Sequence, residues 1–208
     1  AVRVDLTLDA EHTRHPWGLA TNLHLTFVGE PSFTQLLPTN ALALVELRGA
    51  QTRWGNMDRL FVELRSSQSG TDAAFNHTRL DVTLEQFAGE WAQAALARIT
   101  ATGTHPATNF FPAALDAAGT LRDTRTSWAT SQWTQVAARL DLPPLAELRL
   151  AETNLLWPER LRNVPLTAST TFSNAIAPAL ELDRGALKVR WRFPNLEIES
   201  GTATAGDA

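Results

Sequence analysis

Four tryptophans, Trp17, Trp54, Trp91 and Trp128, recur at a constant interval of 37 residues, and a chain with a fixed internal period folds as a stack of equivalent units. The flanks agree with the spacing. Seven residues before each tryptophan stand Ala10, Leu47, Leu84 and Leu121, one residue after stand Gly18, Gly55, Ala92 and Ala129, and eight after stand Leu25, Val62, Ile99 and Val136. Further along, Leu150 precedes Trp157 by seven residues and Trp191 follows at a different interval, so Trp157 and Trp191 are read as weaker copies. The period divides a single repeat-built domain, 1–208, into approximate units 11–47, 48–84, 85–121, 122–150, 151–184 and 185–208.

Within a unit the apolar residues alternate with polar ones, which is the pattern of half-buried strands. Leu60, Val62 and Leu64 interleave with Phe61 and Glu63; Leu80 and Val82 with Asp81; Leu187, Val189 and Trp191 with Lys188 and Arg190; Leu196 and Ile198 with Glu197. Each unit therefore reads as a strand running into the tryptophan, a short turn, a second strand and a loop. Gly55-Asn56 and Pro194-Asn195 supply turn chemistry. About ten or eleven antiparallel strands result. Two stretches admit helix: 127–140, where Trp133, Val136, Ala137 and Leu140 fall at helical spacing behind Ser127, and 112–118, which is rich in alanine. The repeat register favours strand in the first.

The expected fold class is all-β, an extended, curled antiparallel sheet built from tandem two-strand repeats, with at most one or two short helices. A sheet that is apolar on one face must cover that face. With few helices to do so, three solutions remain: two sheets packed face to face, a closed barrel, or a long sheet whose apolar face holds a ligand. Unit-by-unit repetition favours the third, and an elongated apolar ligand such as an acyl chain suits it. Twelve residues are expected on that ligand-facing side: Leu23, Leu25, Phe27, Leu60, Val62, Leu64, Leu80, Val82, Leu187, Val189, Leu196 and Ile198.

The hairpin 180–199, Leu-Glu-Leu-Asp-Arg-Gly-Ala-Leu-Lys-Val-Arg-Trp-Arg-Phe-Pro-Asn-Leu-Glu-Ile-Glu, resembles the one found in AsmA-like proteins, where a strand ends in a tryptophan and a turn leads into a second alternating strand. The stretch 47–64 is similar. That resemblance places the chain with the repeating β-groove, bridge-like lipid-transfer proteins. It implies phospholipid transport between inner and outer membranes, a periplasmic or cell-envelope location in a Gram-negative-type bacterium, and anchorage through a segment not present here. The chain opens directly into the alternating 2–9 and closes on Gly206-Asp207-Ala208, so it is expected to be a segment of a longer protein that continues end to end.

Other function classes find little support. A net charge of -4, from 18 basic and 22 acidic residues spread along the chain, leaves no basic stripe for nucleic acid. Cysteine is absent, which excludes disulfides and thiolate metal sites. His12 and His15 precede Trp17 without a partner at metal-ligand spacing, and His24, His77 and His105 read as isolated residues at polar-facing or loop positions. No nucleophile elbow accompanies them, so no enzyme, metal or cofactor is expected. Glu46, Glu63, Asp81, Glu85, Glu197 and Glu199 read as the wet face of strands. Asn76-His77-Thr78 matches a glycosylation sequon by accident.

The tryptophans admit two readings. They line the trough or mark a membrane interface, or, the favoured reading, each packs at its strand end and pins register with the next unit. Two rivals to the lipid groove also stand. One is a structural or adhesive β-repeat with a self-covered core. The other is a glycan- or lipid-acting hydrolase, which requires paired carboxylates or a His–carboxylate dyad in a cleft.

Overall fold

The computed structural model describes residues 3–16, 18–30, 39–68, 75–106, 113–141, 164–192 and 195–205. Eleven strands follow one another: β1 (Val4–His15), β2 (Gly18–Glu30), β3 (Thr39–Thr52), β4 (Gly55–Gln68), β5 (Phe75–Gly89), β6 (Ala92–Pro106), β7 (Ala114–Thr126), β8 (Thr130–Asp141), β9 (Leu166–Ala177), β10 (Leu180–Arg192) and β11 (Asn195–Thr204). They form one sheet in sequence order, each strand antiparallel to the next. β1 and β11 do not meet, so the sheet is not closed into a barrel. Among the described residues there is no helix and no second layer, and every substantial contact joins strands adjacent in sequence.

The alternation dictates this outcome wherever it is strict. Both helical alternatives resolve as strand: 130–141 is β8 and 114–118 opens β7. In β8, Val136 and Leu140 lie on one face while Trp133 and Ala137 lie on the other, since they pair respectively with Gly119 and Leu115, and with Arg122 and Ala118. The helical spacing of these four residues was therefore coincidental.

The tight turns fall where the repeat places them. Trp54 lies between β3 and β4, Trp91 between β5 and β6, and Trp128 between β7 and β8, all at the same end of the sheet. Threonine closes two of these turns: Thr52 Oγ1 donates to the Gly55 carbonyl at 3.0 Å and accepts from the Trp54 N–H at 3.1 Å. Thr126 repeats the arrangement, donating to the Ala129 carbonyl at 3.0 Å and accepting the Ala129 N–H at 3.0 Å. Trp17 and Trp157 lie outside the described residues.

Two expectations about the tryptophans are overturned. Trp191 is not a repeat copy. It ends β10, opposite Leu166 and Leu196, at the far end of the sheet from the other three. The fifth hairpin turn is 177–180, carrying Pro178 and Ala179, so β9 and β10 form one unit that the boundary between 184 and 185 cuts through. Nor do the turn tryptophans pack at their strand ends: Trp54, Trp91 and Trp128 are 57%, 82% and 69% exposed.

A crease crosses the sheet just before these turns. Near that end, one residue in each of β1, β3, β5, β7 and β9 has a left-handed backbone: His12 (φ 51), Gly49 (φ 55), Gln86 (φ 52), Asp123 (φ 50) and Asn174 (φ 49). The first four are again 37 residues apart. Glycine, asparagine, aspartate and histidine are the residues that tolerate this region best, and only Gln86 departs from that set. The residues opposite, Thr21, Asp58, Ala95, Gln132 and Asp183, drop out of the ladders with them, although register is the same on both sides of the gap.

The crease shifts the phase of the alternation. Leu47 and Ala50, three apart, would face opposite ways in a regular strand. Instead Ala20, Ala50 and Met57, 7%, 1% and 9% exposed, pack together against Leu47, Leu60, Leu84 and Phe87. Farther along the sheet, Leu121 and Thr124, Ser131 and Thr134, and Phe172 and Ala175 likewise wall a single cavity. The apolar face thus continues past the crease to the tryptophan-bearing end.

Candidate functional site

Residues opposite one another in an antiparallel pair share a face, so the registers can be followed from strand to strand. Leu25 leads through Val45 and Val62 to Val82 and Ile99. From Ile99 the same row runs through Gly119, Val136 and Thr170 to Leu187. A parallel row joins Phe27 to Leu64 and Leu80 and reaches Val189 and Ile198. A third joins Leu23 to Leu60, and Leu196 pairs with Trp191 at the last turn. All twelve residues expected to be ligand-facing therefore occupy one face.

That face is only partly covered. Leu64 and Ile99, in interior strands, remain 40% exposed, and Leu187 37%. Toward the two edges exposure rises, to 57% and 52% for Leu6 and Leu8 on β1 and 64% and 66% for Leu196 and Ile198 on β11. In the middle the side chains become small: Ala101, Ala117, Ala138 and Ala168 are successive partners across β6 to β9. Beside this belt lies an apolar cavity of about 500 Å³, walled by Leu121, Phe172 and Leu187 from the face and by Trp128, Ile176 and Leu180 from the turn end. Phe172 lies across Gly185, where an added Cβ would stand 2.1 Å from its ring.

At the loop end the same face turns polar. Ser66 pairs with Thr78, and Asn76 with Gln68 and His105. Asn76 is fully buried, and Ser66 and His105 are each 8% exposed. Among the described residues, both polar atoms of the Asn76 amide, the Ser66 hydroxyl and the Thr78 hydroxyl have no hydrogen-bond partner, a condition that costs about 1–3 kcal/mol per group unless something else satisfies them. His105 is thus a buried residue of the apolar side rather than a polar-facing one, and the sequon's Asn76 presents no accessible amide.

The opposite face carries the charge, and the six acidic residues assigned to the wet side lie there. Glu46 accepts from Arg48 and Arg59, each at 2.9 Å, and Arg59 reaches on to Glu85 at 3.4 Å. The Arg48 hydrogen bond foremost, with Arg59 adding to it, holds the Glu46 carboxyl below the ordinary carboxylate range against an opposing desolvation. Asp81 is lowered in the same way by Arg79, at 2.7 Å, and by the Thr100 hydroxyl at 2.6 Å. Glu199, at a register shift between β10 and β11, pairs with Lys188 at 2.8 Å and with Arg190. Glu63 likewise pairs with Arg65, and Arg59 bridges Glu46 and Glu85 across the face.

His24 and Asp9 form a His–carboxylate dyad, and the expectation that His24 is isolated is corrected. His24 Nδ1 lies 2.6 Å from Asp9 Oδ1, and its Nε2 lies 3.1 Å from the Thr26 hydroxyl. Sequence could not show it, because Asp9 and His24 meet only through the β1–β2 register. A cavity of about 490 Å³ beside it is lined by Asn22, Glu46 and Arg48. The order carboxylate, imidazole, hydroxyl can relay a proton. Acyl transfer also needs N–H donors aimed at a developing oxyanion, and β2 lies between β1 and β3, where its N–H groups are committed to ladders. Among the described residues no group of three or more His, Asp or Glu side chains is placed to hold a metal ion.

No protein-family model, curated protein or solved structure matches this chain.

Proposed function

We propose that this chain is a lipid-binding groove segment of an AsmA-like, repeating β-groove protein that moves phospholipids between the inner and outer membranes of a Gram-negative-type cell envelope. The observation that carries the reading is the apolar face, which runs through all eleven strands and has no second layer among the described residues. Interior positions such as Leu64 and Ile99 are left two-fifths exposed, and an exposed apolar surface of that extent marks a binding site. An aliphatic side chain gains roughly 1.5–3 kcal/mol when fully covered, so an acyl chain lying along a row of them is held without any specific polar contact.

On this reading the protein binds and conducts and performs no chemical step. It works in the periplasm, anchored through a segment outside this chain, and β1 and β11, each paired on one side only, join the rest of a longer sheet. Protein purified from bacterial membranes is expected to carry phospholipid in native mass spectra, and the double substitution Leu64→Glu, Ile99→Glu is expected to strip it. The reading fails if neither protein ever carries lipid, or if both carry it equally. A self-covered structural repeat would give the first of those results.

A further inference from the structure

The geometry points to the tryptophan-bearing end of the sheet as a membrane-docking edge, seated on the surface of a phospholipid bilayer with the strands standing away from it. The inference deepens the groove reading by naming where lipid would enter, but its main support is independent of that reading. Trp54, Trp91 and Trp128 sit on turns at one end, 57%, 82% and 69% exposed. Successive turns are two strands apart, which sets neighbouring turns about 9.5 Å apart along that edge of the sheet. The fifth turn continues the edge with Ile176 and Leu180, both 53% exposed, and Leu19 at the start of β2 is 43% exposed.

The residue type and the layout select the partner. Indole has an apolar body and a polar N–H, and it concentrates where hydrocarbon meets water. A protein partner buries its anchors together in a compact, desolvated centre. Side chains spread one to a turn along an edge suit an extended boundary between hydrocarbon and water instead. The Arg53 guanidinium stacks over Trp54 at 4.4 Å, which sets a cation beside that indole at the level of lipid phosphates. Glu90 adjoins Trp91, so the edge has no uniform positive charge, and docking is expected on neutral, zwitterionic bilayers. The crease adds a route. By shifting the alternation it carries apolar side chains, among them Met57 and Phe87, from the face toward the turns, so an acyl chain leaving the bilayer at this edge meets apolar surface continuously.

The test uses the full chain and phosphatidylcholine vesicles brominated on the acyl chains, which quench indole emission on contact. Emission is expected to fall on mixing. The double substitution Trp54→Ala, Trp91→Ala should leave the β-sheet circular dichroism unchanged and weaken vesicle binding by roughly a hundredfold, about tenfold for each buried indole. Neither residue lines the apolar cavity, so lipid supplied to that protein from detergent solution should be retained in native mass spectra as it is by the parent. Vesicle binding that depends on these tryptophans, in a protein that never carries lipid, would leave the docking edge standing and remove the groove. The inference is overturned if the protein ignores vesicles, if the double variant binds them as well as the parent, or if sedimentation shows the tryptophans to join two copies of the chain instead.

Discussion

Replacing Gly49 by alanine tests whether left-handed backbone creates the crease. Gly49 has φ 55, a region that costs a residue with a Cβ about 1–2 kcal/mol. The new Cβ would lie 2.1 Å from Thr21 Oγ1, far inside contact distance. Thr21 cannot yield freely, because that hydroxyl donates to the Arg48 carbonyl at 2.7 Å. Turning it away forfeits a hydrogen bond worth about 1 kcal/mol. The two effects together predict a loss of roughly 2–3 kcal/mol, read as a fall in the melting midpoint of about 4–12 °C for a chain of this size. The reciprocal change, Gln86→Gly, relieves a left-handed residue that has no such tolerance and should leave stability unchanged or raise it by up to about 1 kcal/mol. Circular dichroism melts of both variants decide the matter. Gly49→Ala within about 0.5 kcal/mol of the parent would refute the account of the crease.

Asn76→Leu removes a fully buried amide that has no partner among the described residues; chemical denaturation should show the protein more stable by about 1–2 kcal/mol. If stability falls instead, the amide has a structural partner. Acid should loosen the charged face. The folded-state values of Glu46 and Asp81 lie below their ordinary 4.5 and 3.8, so their stabilisation is complete above those values and is lost as pH falls through the lower folded ones. Asp81→Asn should accordingly flatten the decline in melting midpoint below about pH 4, and a decline identical to that of the parent would remove Asp81 from the explanation.

Much of the fold was legible because alternation and turn chemistry are local. Leu60, Val62 and Leu64 show their common face within five residues, and the tryptophan interval places the tight turns at Trp54, Trp91 and Trp128. What escaped depends on pairing across strands. Asp9 and His24 are brought together by a register that no local pattern records. The crease escaped because its five residues are chemically unlike one another, and only their spacing and the three-residue step from Leu47 to Ala50 or Leu84 to Phe87 betray it. Trp191 misled for the opposite reason: it is a tryptophan at a strand end, but at the other end of the sheet, opposite Leu166 and Leu196. The exposed indoles show the limit of residue type as a guide, since large aromatic side chains are buried on average and here they crown the turns.

The central claim is that lipid lies on the apolar face and not on the charged one. Irradiating the protein with a phospholipid that carries a diazirine on its acyl chain, then mapping the labelled residues, tests this most directly. Label is expected on Leu64, Val82, Ile99 and Leu187, whose side chains share that face. Label confined to Glu63, Arg79 and their neighbours on the opposite face, or scattered without preference, would contradict it.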